Sequence, residues 1–165
     1  MSVILIGMPS CGKSTLGVLL AKRLGARFLD SDLLIQEQEG MLLHQLIEEK
    51  GVKGFLTIEN AVNASISDPN AVISTGGSVV YCPEAMANLR ALGRVVYLRI
   101  PFAVMQARLG DYSHRGVVSP NGRDLAGMYE ERVPLYEQYA DLTVDVSHES
   151  LSDSLDRICR ALGQA

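Results

Sequence analysis

The sequence is 165 residues long, 47% of them hydrophobic and 21% charged, and its formal net charge is −4. This is the composition of an ordinary globular protein of one domain, spanning residues 1–165, so a mainly disordered chain is excluded. The negative charge argues against a general nucleic-acid binder, which needs a basic face, and no apolar stretch approaches the roughly 20 residues that cross a membrane.

The first half of the chain alternates between short apolar runs and patterns of helical period. The run at residues 3–6 predicts a strand, and residues 26–30 predict a second one. Leucines at positions 16, 19, 20 and 24 share one stripe and predict a helix between these strands, after a glycine-rich loop. Further helices are predicted at residues 34–38, 42–50 and 55–65, with breaks at Gly40 and Gly51.

The second half contains two continuous apolar runs, at residues 71–74 and 95–98. Such runs are typical of strands that helices cover on both faces, as in a mainly parallel sheet. A last strand is predicted at residues 142–145, and the apolar spacing of residues 150–162 predicts a closing helix. This alternation predicts a three-layer α/β/α fold, and the long polar stretch at approximately 110–123 is a predicted lid.

Residues 7–15, GMPSCGKST, match the G-x4-G-K-[ST] phosphate-binding pattern between the first predicted strand and helix. The glycines let backbone N–H groups and the helix N-terminus face phosphate oxygens. Lys13 would reach the β- and γ-phosphates, and the Ser14 hydroxyl suits Mg²⁺. We therefore predict ATP and Mg²⁺ as cofactors. The predicted nucleotide-binding residues are Gly7, Ser10, Cys11, Gly12, Lys13, Ser14 and Thr15.

Two aspartates, Asp30 and Asp32, follow the second predicted strand. Alternate residues of an extended segment point the same way, so both carboxylates are expected at the phosphate end of the sheet. The alternative is that they are N-cap or turn residues, a frequent role of aspartate. An Asn-Lys-x-Asp guanine signature is absent, and neither strand at Ala71 or Val95 ends in an acidic pair, which disfavours GTPases and motors.

The chain resembles the shikimate kinase family, within the nucleoside monophosphate kinase-like group of P-loop proteins, over nearly its whole length. The matching segments are the loop at 7–15, FLDSD at 28–32, Gly40, residues 51–59, TGG at 75–77, the Arg115 loop and ERVPLY at 131–136. The resemblance implies a small-molecule kinase of amino-acid biosynthesis. Its reaction would transfer the γ-phosphoryl group of ATP to a hydroxyl of a small carboxylate-bearing metabolite, with shikimate as the first candidate.

The resemblance also implies roles for individual residues. Asp30 would hold Mg²⁺ together with Ser14, and Asp32 would contact the acceptor hydroxyl and take its proton. Lys13, Asp32 and the lid residue Arg115 would be catalytic, because phosphoryl transfer depends on positioning and charge neutralisation. The other implied roles are adenine packing for Arg108 and acceptor binding for Asp32, Glu59, Gly76, Gly77 and Arg132. For the arginines, a solvated or helix-face charge remains the alternative.

The chain departs from the family pattern on the acceptor side and in the lid. Leu56 stands where the family has an arginine that grips the substrate carboxylate, Ser78 replaces the third glycine of a Gly-Gly-Gly turn, and Gly116 replaces a lid proline. Losing the guanidinium removes a charge-assisted contact, while Glu59, which faces that arginine in the family, is kept.

Three interpretations of these departures stay open. Arg123 replaces the missing arginine and shikimate remains the acceptor, or the acceptor carries an amine, as homoserine does, or the chain is a nucleotide-binding regulatory domain without catalysis. The widely spaced Cys11, Cys82 and Cys159 suggest neither disulfides nor a zinc site, so a cytoplasmic protein is expected. Cys11 is either a filler of the loop or a thiol whose pKa the helix N-terminus lowers. The sequence predicts no oligomeric state.

Overall fold

A five-stranded parallel sheet forms the centre of the molecule, in a computed structural model that describes residues 1–110, 117–147 and 150–164. The strand order is β2-β3-β1-β4-β5. The strands are β1 (Ser2–Ile6), β2 (Arg27–Asp30), β3 (Ala71–Ser74), β4 (Gly93–Arg99) and β5 (Leu142–Asp145). Each strand predicted from an apolar run is confirmed, and the prediction of a parallel sheet is confirmed as well.

Besides a short 3₁₀ helix at Val79–Tyr81, seven α-helices are found among the described residues. They are α1 (Lys13–Leu24), α2 (Ser31–Glu39), α3 (Leu43–Ser65), α4 (Pro83–Leu92), α5 (Phe102–Leu109), α6 (Leu125–Tyr139) and α7 (Leu151–Ala161). Helix α1 packs on β3 and against α7, while α4 packs on β1 and β4 and against α3, so helices cover the sheet and the α/β/α prediction is confirmed. No helix in the described part of the chain is long and apolar enough to span a membrane.

The burial of the strands follows their place in the sheet. The central strands β1 and β3 are buried at every residue, and β4 is buried over its middle, because helices cover both faces. The outer strands β2 and β5 are partly exposed. In the central register, Ile4 of β1 lies opposite Ile73 of β3 and Val95 of β4, so three branched apolar side chains meet at one level of the core.

Glycines end or bend the helices of the first half, as the sequence predicted. Gly40 closes α2 in the left-handed region, with φ 68° and ψ 22°. Gly51 lies inside α3 with φ 70° and ψ 176°, so two predicted helices continue across a kink instead of being separate elements. Helices α4, α5 and α6 were not predicted; of these, α6 has a weak apolar periodicity and carries Pro134 in its interior.

The order of the strands brings three polar segments to one edge of the sheet. In a parallel sheet with this kind of order, ligands bind outside the carboxyl ends of the strands. The loop after β1, the aspartates at the end of β2 and the Thr75-Gly76-Gly77 turn after β3 all lie at that edge. Residues 117–122 of the predicted lid form no helix or strand, and residues 111–116 lie outside the described part of the chain.

Candidate active site

The loop between β1 and α1 is shaped by two glycines. Gly7 has φ 148°, and a Cβ there would lie 2.6 Å from the carbonyl oxygen of Leu98 and 2.9 Å from Cys11 Sγ, so glycine is required for space as well as conformation. Gly12, with φ 98°, is the N-cap of α1 and makes no side-chain cap bond. The first N–H groups of α1 therefore remain available to a phosphate ligand.

The side chain of Lys13 is buried inside this loop. Its Nζ donates hydrogen bonds to the carbonyl oxygens of Gly7, at 2.8 Å, and Met8, at 2.9 Å. Cys11 is buried beside it, with Sγ 3.8 Å from Nζ, and fills the interior of the loop. The loop thus holds one positive charge directly beside the helix N-terminus.

A second pair of groups links the loop to the end of β2. The hydroxyl of Ser14 donates to Asp30 Oδ2 at 2.6 Å. The other oxygen of this carboxylate, Oδ1, accepts from the backbone N–H of Asp32 at 3.0 Å and caps α2. Asp30 is therefore both an N-cap residue and a neighbour of the phosphate loop, so the two interpretations of its role are compatible.

A cavity of about 300 Å³ begins at the phosphate loop and extends towards α3 and α6. It is lined by Pro9, Ser10, Gly12, Lys13, Ser14, Thr15, Asp32, Phe55, Glu59, Thr75, Gly76, Gly77, Ser78, Val117, Val118 and Arg132. This volume is at the lower end of the range for small-molecule sites. The cavity brings together ten of the residues that the sequence predicted for the site.

Two carboxyl groups converge on Gly76 at the floor of the cavity. A Cβ on Gly76 would lie 2.5 Å from Glu59 Oε1 and 2.9 Å from Asp32 Oδ1, and neither oxygen has a hydrogen-bond partner among the described residues. Burial, with the nearby charge of Asp30, raises the pKa of Asp32 to about 6. Burial also raises the pKa of Glu59 to about 7, and the charge of Asp32 adds to this shift.

Ser78 is the polar neighbour of Glu59. Its hydroxyl donates to Glu59 Oε2 at 2.6 Å, and this bond works against the rise in the pKa of Glu59. The thiol of Cys82 lies 4.0 Å from the same oxygen. Burial, reinforced by Glu59, raises the pKa of Cys82 to about 12, so this thiol is neutral.

Arg132 supplies the positive charge at the other side of the cavity. Its side chain is only 1% exposed; it donates to the backbone carbonyl of Val118, and its guanidinium lies 5.3 Å from the ring centre of Tyr81. Its Nε has no hydrogen-bond partner within residues 1–110, 117–147 and 150–164. A Cβ on Gly77 would lie 3.1 Å from this guanidinium, so the glycine lets the backbone pass close to Arg132.

Arg108, Arg123 and Leu56 do not line the cavity. Arg108 donates to the carbonyl oxygens of Val146 and Ser147, at 3.5 and 3.2 Å, near the end of β5. Arg123 is exposed and pairs with Glu131 at 2.9 Å. Leu56 is partly buried and packs against both clusters of the hydrophobic core. Arg115 lies outside the described residues.

Several lining residues were not predicted from the sequence. Phe55 and Ser78 are adjacent in sequence to Leu56 and Gly77. This adjacency was the one feature of the sequence that could have indicated their place in the cavity. Val117 and Val118 come from the end of the predicted lid, and the sequence carries no signal for their place; the carbonyl of Val118 accepts a hydrogen bond from Arg132.

The family model for shikimate kinase matches residues 9–163 of the chain. The chain belongs to the shikimate kinase family. A shikimate kinase of Synechococcus sp. (strain RCC307) is 39% identical over 163 residues, which are 96% of this chain and 82% of that protein.

Two solved shikimate kinases also share the fold. The enzyme from Acinetobacter baumannii, solved in complex with shikimate, matches with a TM-score of 0.87 and 29% identity over 98% of this chain and 92% of its own. The enzyme from Aquifex aeolicus gives a TM-score of 0.85 and 32% identity over 99% and 96%. This member of the shikimate kinase family is accordingly a small-molecule kinase with a hydroxyl acceptor.

Proposed function

We propose that the chain transfers the γ-phosphoryl group of ATP to a hydroxyl of a small carboxylate-bearing metabolite in the cytoplasm, with shikimate as the first candidate. One observation carries the proposal: a single cavity contains Lys13, Asp32 and Arg132. These residues are a phosphate-binding cation, a base for a hydroxyl group and a cation for a carboxylate. Membership of the shikimate kinase family, whose A. baumannii member was solved in complex with shikimate, supports this order of candidates.

The phosphate side of the cavity suits ATP and Mg²⁺. The loop backbone and Lys13 would hold the phosphates, and Ser14 and Asp30, whose oxygens lie 2.6 Å apart, would hold the ion directly or through water. When bound, Mg²⁺ supplies positive charge against the phosphate oxygens. Arg108, near the end of β5, is proposed to pack on the adenine, and Arg115 to add charge from the lid.

The acceptor side of the cavity contains residues that would bind the acceptor and remove the proton of its hydroxyl group. Arg132 would pair with the acceptor carboxylate, and the flat backbone of Gly76 and Gly77 would let the acceptor approach closely. Asp32 would accept the hydroxyl proton. A pKa of about 6 leaves this carboxylate mostly ionised at neutral pH but still a useful base.

A second candidate acceptor is a hydroxy-amino acid such as homoserine. Leu56 adds no positive charge to the acceptor side, whereas Asp32 and Glu59 bring two acidic groups to it. An acceptor with both a carboxylate and an ammonium group would complement Arg132 and this pair of acids.

The test is ADP formation by purified protein with ATP and Mg²⁺, in the presence of shikimate, homoserine, gluconate or no acceptor. We expect shikimate-dependent turnover. We also expect Leu56→Arg to raise kcat/KM for shikimate by about tenfold, because it restores a charge-assisted contact, whereas the control Leu56→Met leaves it unchanged. Nucleotide binding without acceptor-dependent turnover in this panel would contradict the proposal and favour a regulatory domain.

A further inference from the structure

Glu59 is a buried carboxyl group that forms no ion pair with any described residue. The residue is 0% exposed, and Oε1 has no hydrogen-bond partner in the described part of the chain. The side-chain donors to Oε2 are the Ser78 hydroxyl at 2.6 Å and the Cys82 thiol at 4.0 Å. Because a thiol at that distance is a weak donor, the orientation of the Glu59 carboxyl depends on Ser78.

Ser78 is well suited to this role. It is 5% exposed, and its backbone has φ −89° and ψ −4°, a conformation open to any residue. Glycine is therefore not required at this position by the backbone. The Ser78 side chain makes one short, buried hydrogen bond. The acceptor of this bond is Glu59, which lies on a different element, α3.

The position of Glu59 bears directly on the acceptor cavity. Oε1 lies against Gly76, at 2.5 Å from where a Cβ would stand, and Asp32 Oδ1 lies against the same point at 2.9 Å. A rotation of the Glu59 carboxyl would press on the Gly76 backbone or on Asp32. Glu59 thus supports the floor of the cavity.

Position 56, which is Leu56 in this chain, is another place from which a side chain could hold this carboxyl. It precedes Glu59 by three residues within the helical part of α3 after Gly51, and residues three apart lie on the same face of a helix. A cationic side chain at position 56 would reach the Glu59 carboxyl from that face. The side chain of leucine cannot donate a hydrogen bond, so among the described side chains Ser78 is the main donor that orients this carboxyl.

We propose that Ser78 is a positioning residue of the acceptor site, which holds Glu59 in the place of a cation at position 56 and so shapes the acceptor-binding floor at Gly76 and Asp32. The kinetic part of this inference rests on the proposed function. The structural part is a coupling between positions 56 and 78 through Glu59, and it does not depend on the identity of the acceptor.

The structural part is tested by urea unfolding of the full chain as wild type, Ser78→Ala, Leu56→Arg and the double variant. We expect Ser78→Ala to lower the folding equilibrium constant about tenfold in the wild-type background and no more than about twofold in the Leu56→Arg background. Equal losses in both backgrounds would overturn the proposal, whether or not any acceptor is turned over.

The kinetic part is tested with shikimate and homoserine as probes. Ser78→Ala is expected to raise the KM of the acceptor in use about tenfold, with KM for ATP unchanged within about twofold, and Ser78→Thr, which keeps the hydroxyl, to stay near wild type. A parallel rise in both KM values would mean a merely structural role and would overturn the proposal. Turnover of neither probe by wild type would instead count against the proposed function.

A variant that fails to fold does not end the test. If Ser78→Ala is unfolded, the double variant with Leu56→Arg is the decisive protein, because the proposal predicts that the arginine restores folding. A double variant that is still unfolded, while Leu56→Arg alone folds, would contradict the proposed coupling.

Discussion

The carboxyl groups of Asp32 and Glu59 have unusual environments for acids. Both have raised pKa values, about 6 and about 7, chiefly because burial disfavours the charged form. Arg132 and Lys13 act in the opposite direction on Glu59, and they do not outweigh burial. The acceptor cavity therefore contains one acid suited to accept a proton and a second that is largely protonated in slightly acidic solution.

Glu59→Gln is predicted to change how stability depends on pH. A carboxyl whose pKa is higher in the folded protein stabilises it fully below the unfolded value, 4.5, and this contribution is lost as pH rises through about 7. Wild type should thus lose on the order of 2–3 kcal/mol more than Glu59→Gln between pH 5 and pH 8. Urea unfolding of both proteins at several pH values measures this difference.

The Asp32 contribution has the same sign and is present in both proteins, so the difference between the two curves reports Glu59 together with its electrostatic coupling to Asp32. Parallel stability curves for wild type and Glu59→Gln would show that Glu59 is ionised in the folded protein across this range. That result would contradict the described environment of the carboxyl.

Arg132→Lys is predicted to raise the KM of the acceptor by about tenfold, with KM for ATP unchanged within about twofold. Lysine keeps the charge but loses the planar donors that reach Val118 and face Gly77. Steady-state kinetics measure both constants, and Arg123→Lys is the matched control because Arg123 is exposed and paired with Glu131. Equal effects of the two substitutions would contradict a role for Arg132 in acceptor binding.

The kink in α3 sets the direction of the helix that carries Phe55 and Glu59 into the cavity. It occurs at Gly51, whose φ of 70° and ψ of 176° belong to a region that is essentially restricted to glycine. A Cβ at Gly51 would meet nothing within 4 Å, so the requirement for glycine comes from the backbone conformation alone.

Gly51→Ala is predicted to lower the free energy of unfolding by about 1–3 kcal/mol. Gly25→Ala is the control, since Gly25 also has open space but a left-handed conformation, φ 62° and ψ 28°, which costs about 1–2 kcal/mol for a side chain. Thermal or urea unfolding compares the two variants. A loss at Gly51 well below that at Gly25 would indicate that α3 has no strained kink.

The strands were predicted well because their signal is local. Strands β3 and β4 are buried on both faces over their apolar residues, and a continuous apolar run in the sequence is the direct sign of such burial. Helix α6 was not predicted because its local signal is weak. It has a buried Arg132, which lines the cavity, and an internal Pro134, and both depart from the usual pattern of a helix.

The order of the strands in the sheet determines which site residues become neighbours. This order cannot be predicted from local sequence patterns. Lys13 follows β1, Asp32 follows β2 and Gly76 follows β3, and strands β2, β3 and β1 are neighbours in the sheet. Motifs and the family resemblance predicted these site residues individually. The bond between Ser78 and Glu59, and the pairing of Arg123 with Glu131, depend on side-chain positions from distant elements and required the structure.

We propose that this architecture joins a phosphate-binding loop to a cavity that binds an acceptor carboxylate, and that it transfers a phosphoryl group to this acceptor and not to water. The most direct test is ³¹P NMR of wild type with ATP, Mg²⁺ and shikimate, beside Lys13→Met and a sample without acceptor. We predict one phosphate ester per ADP in wild type, and about a hundredfold slower formation in Lys13→Met, because the phosphate-binding cation is lost. Inorganic phosphate as the product, at the same rate with and without acceptor, would contradict the claim.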